Sequence, residues 1–135
     1  MMLRYSVSAK RLDDTGSEAT AGQARIRLDT ALAGRPDAFN PAELLLASLA
    51  ACMIKGAERV TPMIKFDLRG LEVSLSGHRQ DSPPKMVAIS YELVVDTPET
   101  DERIALLHKN IRKYGTISNT LDAALELSGT IRRKS

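Results

Sequence analysis

The stretch "NPAELLLASLAACMIKGAERV", residues 40–60, decides the fold. Asn40, Pro41 and Glu43 make a helix start: a capping side chain, a proline where no N–H is needed, and an acid in the first turn. The pattern predicts a helix running to about Val60, ended before Pro62. Leu44, Leu45, Leu46, Leu49, Ala50, Ala51, Met53 and Ile54 place apolar side chains nearly all the way round it. A helix without a polar face has to be buried on every side. One thin sheet from a chain of 135 residues is too little to cover it, so the expected assembly is an obligate homodimer with this helix at or near its centre. The same apolar run is too short to span a bilayer.

Outward from the helix, the elements fall into a clear order. Before it, Leu3, Tyr5, Val7 and Ala9 alternate with polar residues as a strand, "DDTGSEATAG" reads as a turn, and Ala24, Ile26 and Leu28 alternate as a second strand able to form a hairpin with the first. After it, Leu71, Val73 and Leu75 mark a third strand, "GHRQDSPPK" a turn, and Val87, Ile89, Tyr91, Leu93 and Val95 a long fourth strand. Thr97-Pro98-Glu99 opens a second helix whose buried face is Ile104, Leu107, Ile111 and Tyr114. Gly115 stops that helix, read as a residue in the left-handed region. Leu125–Ile131 suits a last strand, although "TLDAALEL" alone also suits a helix. The result is ββ-α-ββ-α-β, a single α+β domain over residues 1–135 with a mostly antiparallel sheet around the apolar helix.

Composition removes several classes of function. Hydrophobic residues make up 43% and aromatics 4%, which describes a globular chain with an aliphatic core. A net charge of +2 with scattered basic residues argues against nucleic-acid and membrane partners. The N-terminus alternates and has no secretory apolar region, so the expected compartment is the cytoplasm. The one cysteine, Cys52, excludes an internal disulfide and any multi-cysteine metal site. His78 and His108 have no metal-ligand spacing, and no cofactor is expected. A free cysteine in such an apolar run ordinarily acts as a small hydrophobe. Likewise Glu43 is accounted for as a first-turn acid favoured by the helix dipole.

"NPAELLLASLAACM", the helix–strand–strand–helix order after it, and "KYGTISNTL" further on resemble the OsmC/Ohr family of small thiol-dependent peroxidases. The resemblance runs from about Ala24 to the end of the chain. It implies an intertwined homodimer with two central helices wrapped by sheets, and two active sites, each built from both chains. It also implies chemistry. A cysteine on the central helix attacks an organic hydroperoxide, giving a sulfenic acid and an alcohol; a second cysteine forms a disulfide with it; a dithiol reductant, often lipoylated, restores the pair. An arginine and a glutamate hold the first thiolate. The physical need for them is that only thiolate is nucleophilic, that apolar burial disfavours it, and that a guanidinium fixed by a carboxylate reverses the effect.

On this resemblance Cys52 matches the peroxidatic cysteine, Glu43 lies in the acidic stretch, and Arg35 is the first candidate for the arginine, with Arg11, Arg25 and Arg27 as others. In the organic-hydroperoxide branch the acid stands at the position of Ala42; other branches carry it where Glu43 is. Glu43 and Cys52 are nine residues apart, about 180° around an ideal helix, so Glu43 serves only from the helix start or across the dimer. The second cysteine's position holds Gly115, while Tyr114, Thr116, Ile117 and Ser118 still match. Two functions stay open. One is a one-cysteine peroxidase for organic hydroperoxides, recycled by an external thiol or dithiol. The other is a non-catalytic dimer binding a small apolar molecule, with Cys52 lining the interface pocket.

Overall fold

The computed structural model describes residues 2–135 as two compact units, divided between Leu45 and Leu46. The first is an antiparallel meander of β1 (Ser8–Arg11), β2 (Gly16–Ala21) and β3 (Ala24–Asp29), in that order. Asp13 makes the first turn, its Oδ1 accepting from the amides of Thr15 and Gly16 at 2.9 and 3.0 Å. Gly22, at φ 60°, makes the second, a two-residue loop that needs a left-handed backbone. The second unit holds most of helix α1 (Pro41–Ile64), the sheet β4 (Gly70–Gln80), β5 (Lys85–Asp96) and β6 (Glu126–Arg133), and helices α2 (Asp101–Tyr114) and α3 (Thr116–Asp122). β4 and β5 form a long antiparallel hairpin, and β6 returns parallel to β5.

The α+β class and the mostly antiparallel pairing stand as the sequence predicts. Several elements differ. Most of "DDTGSEATAG" is not turn but β2, the central strand of the meander. Its small Ser17 and Ala19 are buried but carry too little hydrophobicity to register as a strand. Leu3, Tyr5 and Val7 alternate, yet pairing begins only at Ser8; the three side chains are 66%, 81% and 69% exposed. A short third helix, α3, stands between α2 and the last strand, where the sequence reading has none.

Helix α1 runs through Pro62 to Ile64. Its stop is a Schellman turn, with Lys65 at φ 53° and the Phe66 amide donating to the Thr61 carbonyl at 2.9 Å. Pro62 falls in the last turn, where the helix loses a single bond to it. α2 starts at Asp101, capped by Thr100, whose hydroxyl accepts from the Arg103 amide at 3.3 Å. Thr97 and Glu99 are engaged elsewhere: the Thr97 hydroxyl donates to the Asp67 carbonyl at 2.6 Å, and Glu99 accepts from the Asp67 amide at 2.7 Å.

Alternation along β5 builds the core of the second unit. Ile89, Tyr91, Leu93 and Val95 point to one face and are buried, with Leu127 of β6 beside them. α1 contributes Leu49, Met53, Gly56, Ala57 and Val60, a stripe at helical spacing. Gly56 lies against Ile111 of α2. The opposite side of α1 stays open in the single chain, with Ala51 exposed and Ile54 41% exposed. One chain therefore leaves part of the apolar girth of α1 uncovered. Among the described residues no helix is long and apolar enough to cross a membrane.

Candidate functional site

Cys52 lies on α1 between Leu49 and Met53, both fully buried, and is itself half-buried. Its sulfur accepts a hydrogen bond from the Ile117 amide at 3.4 Å. That contact follows from the local sequence. α3 begins after Gly115, which has no side chain to cap the first turn, so the amides there need acceptors from elsewhere. Cys52 supplies one. The nucleophilic form of a cysteine is its thiolate, and the Ile117 amide is the hydrogen-bond donor that faces this sulfur.

Gly115 is not in the left-handed region. It has φ −78° and ψ 116°, extended backbone open to any residue. The constraint on it is space: a Cβ there would lie 2.8 Å from Ser118 Oγ and 3.1 Å from the Ile111 carbonyl. Ser118 is 1% exposed, and its hydroxyl has no hydrogen-bond partner among the described residues. The position the resemblance assigns to a second cysteine is thus closed by the serine three residues on.

The other predicted site residues lie in the first unit. Arg35 forks onto Asp37, its Nε and Nη2 donating to the two carboxylate oxygens at 2.6 and 2.8 Å. This pairing raises the Arg35 pKa above its ordinary value and holds Asp37 below the usual carboxylate range. The Arg35 amide donates to Asp29 Oδ2 at 3.0 Å, and Asp29 also takes the Ala31 amide, so this buried carboxylate organises the loop carrying the arginine. Glu43 closes a capping box: it accepts from the Asn40 amide at 3.0 Å while Asn40 Oδ1 accepts from the Glu43 amide at 2.8 Å. Arg25 pairs with Glu18 at 2.9 Å. Arg11 is exposed on β1, and Arg27 on β3.

The sequence reading misses a polar chain between β5 and α2. Tyr91, 4% exposed, meets His108 Nε2 through its hydroxyl at 2.6 Å, and Arg112 Nη1 donates to the same hydroxyl at 3.1 Å. Arg112 can only donate to that oxygen, and the direction of the Tyr91–His108 hydrogen bond is set by the tautomer of His108. Burial, with the Arg112 charge adding to it, holds the His108 pKa below its ordinary value. The one signal of it in the sequence is the i, i+4 spacing of His108 and Arg112 on α2.

These positions can be set beside known proteins. The OsmC-like protein profile matches residues 34–128. The chain belongs to the OsmC-like family. It is 23% identical over 128 residues to a hydroperoxide reductase of Mycoplasma pneumoniae, covering 92% of this chain and 91% of that one. Among solved structures, an OsmC-like protein of Mycoplasma pneumoniae superposes with a TM-score of 0.89 at 23% identity, over 100% of both chains. An organic hydroperoxide resistance protein of Elizabethkingia anophelis gives a TM-score of 0.79 at 16% identity, over 99% of this chain and 100% of that one. The shared architecture is the OsmC fold.

Proposed function

We propose that this OsmC-like protein reduces organic hydroperoxides through Cys52, as a cytoplasmic homodimer recycled by an external thiol or dithiol. The observation that carries the reading is the Ile117 amide donating to the sulfur of a half-buried, lone cysteine. The similarity to a hydroperoxide reductase supports the substrate class.

In the proposed reaction the Cys52 thiolate attacks one peroxide oxygen. The O–O bond breaks, an S–O bond forms, and the departing alkoxide takes a proton to become the alcohol. Cys52 is left as sulfenic acid. An external thiol attacks that sulfur, water leaves, and a mixed disulfide forms. A second external thiol attacks the mixed disulfide, returns Cys52 as a thiol and leaves the external pair oxidised. Each cycle converts one hydroperoxide and two thiols into one alcohol, one water and one disulfide. Arg35 and Glu43, from one chain or the other, are the proposed charged groups around the thiolate.

A second reading, a binding dimer in which Cys52 only lines a pocket, is supported by the way Arg35 and Glu43 already have partners in Asp37 and Asn40. Turnover separates the two. With excess small thiol, the wild type should release alcohol from an alkyl hydroperoxide and Cys52→Ser should not; equal rates would leave only the binding protein. Light scattering on the same samples should give a dimer mass, and a folded monomer would remove the interface from both readings.

A further inference from the structure

Arg112 is fixed at one end to the sheet and at the other to α3. Its guanidinium carbon lies 5.8 Å from the centre of the Tyr91 ring, and Nη1 donates to the Tyr91 hydroxyl. Nη2 donates to Asp122 Oδ1 at 3.1 Å and reaches the Leu127 carbonyl at 3.5 Å. Tyr91 is a firm base for this. It is buried, its hydroxyl is engaged by His108, and its ring occupies the space that Gly129 of β6 leaves empty.

α3 is a helix of seven residues with no side-chain cap at its start, so it has few restraints of its own. Asp122 is its last residue, where the helix dipole disfavours a negative charge. The ion pair with Arg112 gives that aspartate a reason to be there. At the other end, about 7.5 Å away along a helix rising 1.5 Å per residue, is the Ile117 amide that meets Cys52. α3 is only two turns long, so a shift at Asp122 reaches the turn that carries the Ile117 amide.

We infer that Arg112 and Asp122 are positioning residues for Cys52, holding α3 so that the Ile117 amide meets the sulfur. The inference rests on the reading of Cys52 as the reactive group, and its test separates the two. In the full chain, Asp122→Ala removes the anchor and Asp122→Asn keeps an acceptor oxygen. Asp122 is 58% exposed, and ion pairs that open to solvent contribute little to global stability, so both variants should fold.

The readouts are hydrogen exchange at the Ile117 amide and iodoacetamide alkylation of Cys52 at pH 7 and pH 10. Asp122→Ala should exchange Ile117 faster. It should alkylate about three- to ten-fold more slowly at pH 7, the factor set by loss of one hydrogen bond of ordinary strength. At pH 10, where a free thiol is ionised, its rate should converge on the wild type's. Asp122→Asn should recover part of both effects. Unchanged Ile117 exchange overturns the inference. So does alkylation that is unchanged at pH 7, or altered by the same factor at both pH values, which would report shielding alone. A wild-type thiol inert at both pH values overturns the peroxidase reading, and Ile117 exchange then decides by itself whether the pair holds α3.

Discussion

Replacing Gly115 by cysteine asks whether this chain lacks only the resolving thiol. The backbone poses no obstacle, since φ is −78°. The obstacle is the contact at 2.8 Å between the new Cβ and Ser118 Oγ, with the Ile111 carbonyl at 3.1 Å. Ser118 is buried, so making room for the new Cβ should cost the single variant about 1–3 kcal/mol in overpacking. Ser118→Ala alone should be close to neutral or stabilising, because the hydroxyl it removes has no partner among the described residues. In Gly115→Cys with Ser118→Ala the nearest clash is gone and about 1 kcal/mol or more should return, a coupling of the size neighbouring residues show. Denaturant midpoints of the four proteins give that coupling directly. Treating the double variant with alkyl hydroperoxide and mapping its cysteines by mass spectrometry then tests for a disulfide between Cys52 and the cysteine introduced at position 115. A coupling of zero would refute the steric account of why glycine stands at this position.

Three further outcomes follow from the same geometry. Arg35→Ala should slow Cys52 alkylation at neutral pH if Arg35 of either chain faces the thiolate; an unchanged rate would remove Arg35 from the site and pass the question to Arg11, Arg25 and Arg27. His108 should give stability an acid limb. Its folded pKa lies below the ordinary 6.5, so the unfolded chain binds the proton more readily, and its contribution is present above about 6.5 and lost as pH falls through the folded value; thermal melts of His108→Gln should be flatter over that window, and an identical pH profile would contradict the assignment. Gly56→Ala should stabilise the protein by about 0.5–1 kcal/mol, since its new Cβ would sit 3.8 Å from Ile111 Cγ2 in ordinary contact; a lower melting temperature would show that α1 and α2 pack more tightly than that distance implies.

What can be read from the chain is what is encoded locally. Asn40, Pro41 and Glu43 announce the start of α1 because capping uses neighbours in sequence, and the Asn40–Glu43 bonds bear this out. β4 and β5 are legible from strict alternation. β2 is not, because Ser17 and Ala19 are suited to a crowded central strand by smallness. The end of α1 is misread because Pro62 is a strong local signal and the Schellman turn at Lys65 a weaker one. Leu3, Tyr5 and Val7 alternate without a partner strand in the described chain. At the site, Cys52 stands out by composition alone, and Gly115 by its place in "KYGTISNTL". The Ile117 amide meets Cys52 across 65 residues and Tyr91 meets His108 across 17, pairings that no local pattern encodes, while the closed space at Ser118 depends on side-chain packing within one turn.

The central claim is that Cys52 is a peroxide-reactive thiol that stops at sulfenic acid for want of a partner in its own chain. One equivalent of alkyl hydroperoxide, added to the folded protein together with a sulfenic-acid trapping reagent and followed by intact-mass spectrometry, tests it most directly. The account predicts a trapped adduct on Cys52, one alcohol released per adduct, and no adduct in Cys52→Ser; without the trap, excess peroxide should carry Cys52 on to sulfinic acid. A wild-type protein that keeps its mass and a free Cys52 thiol under those conditions would contradict it.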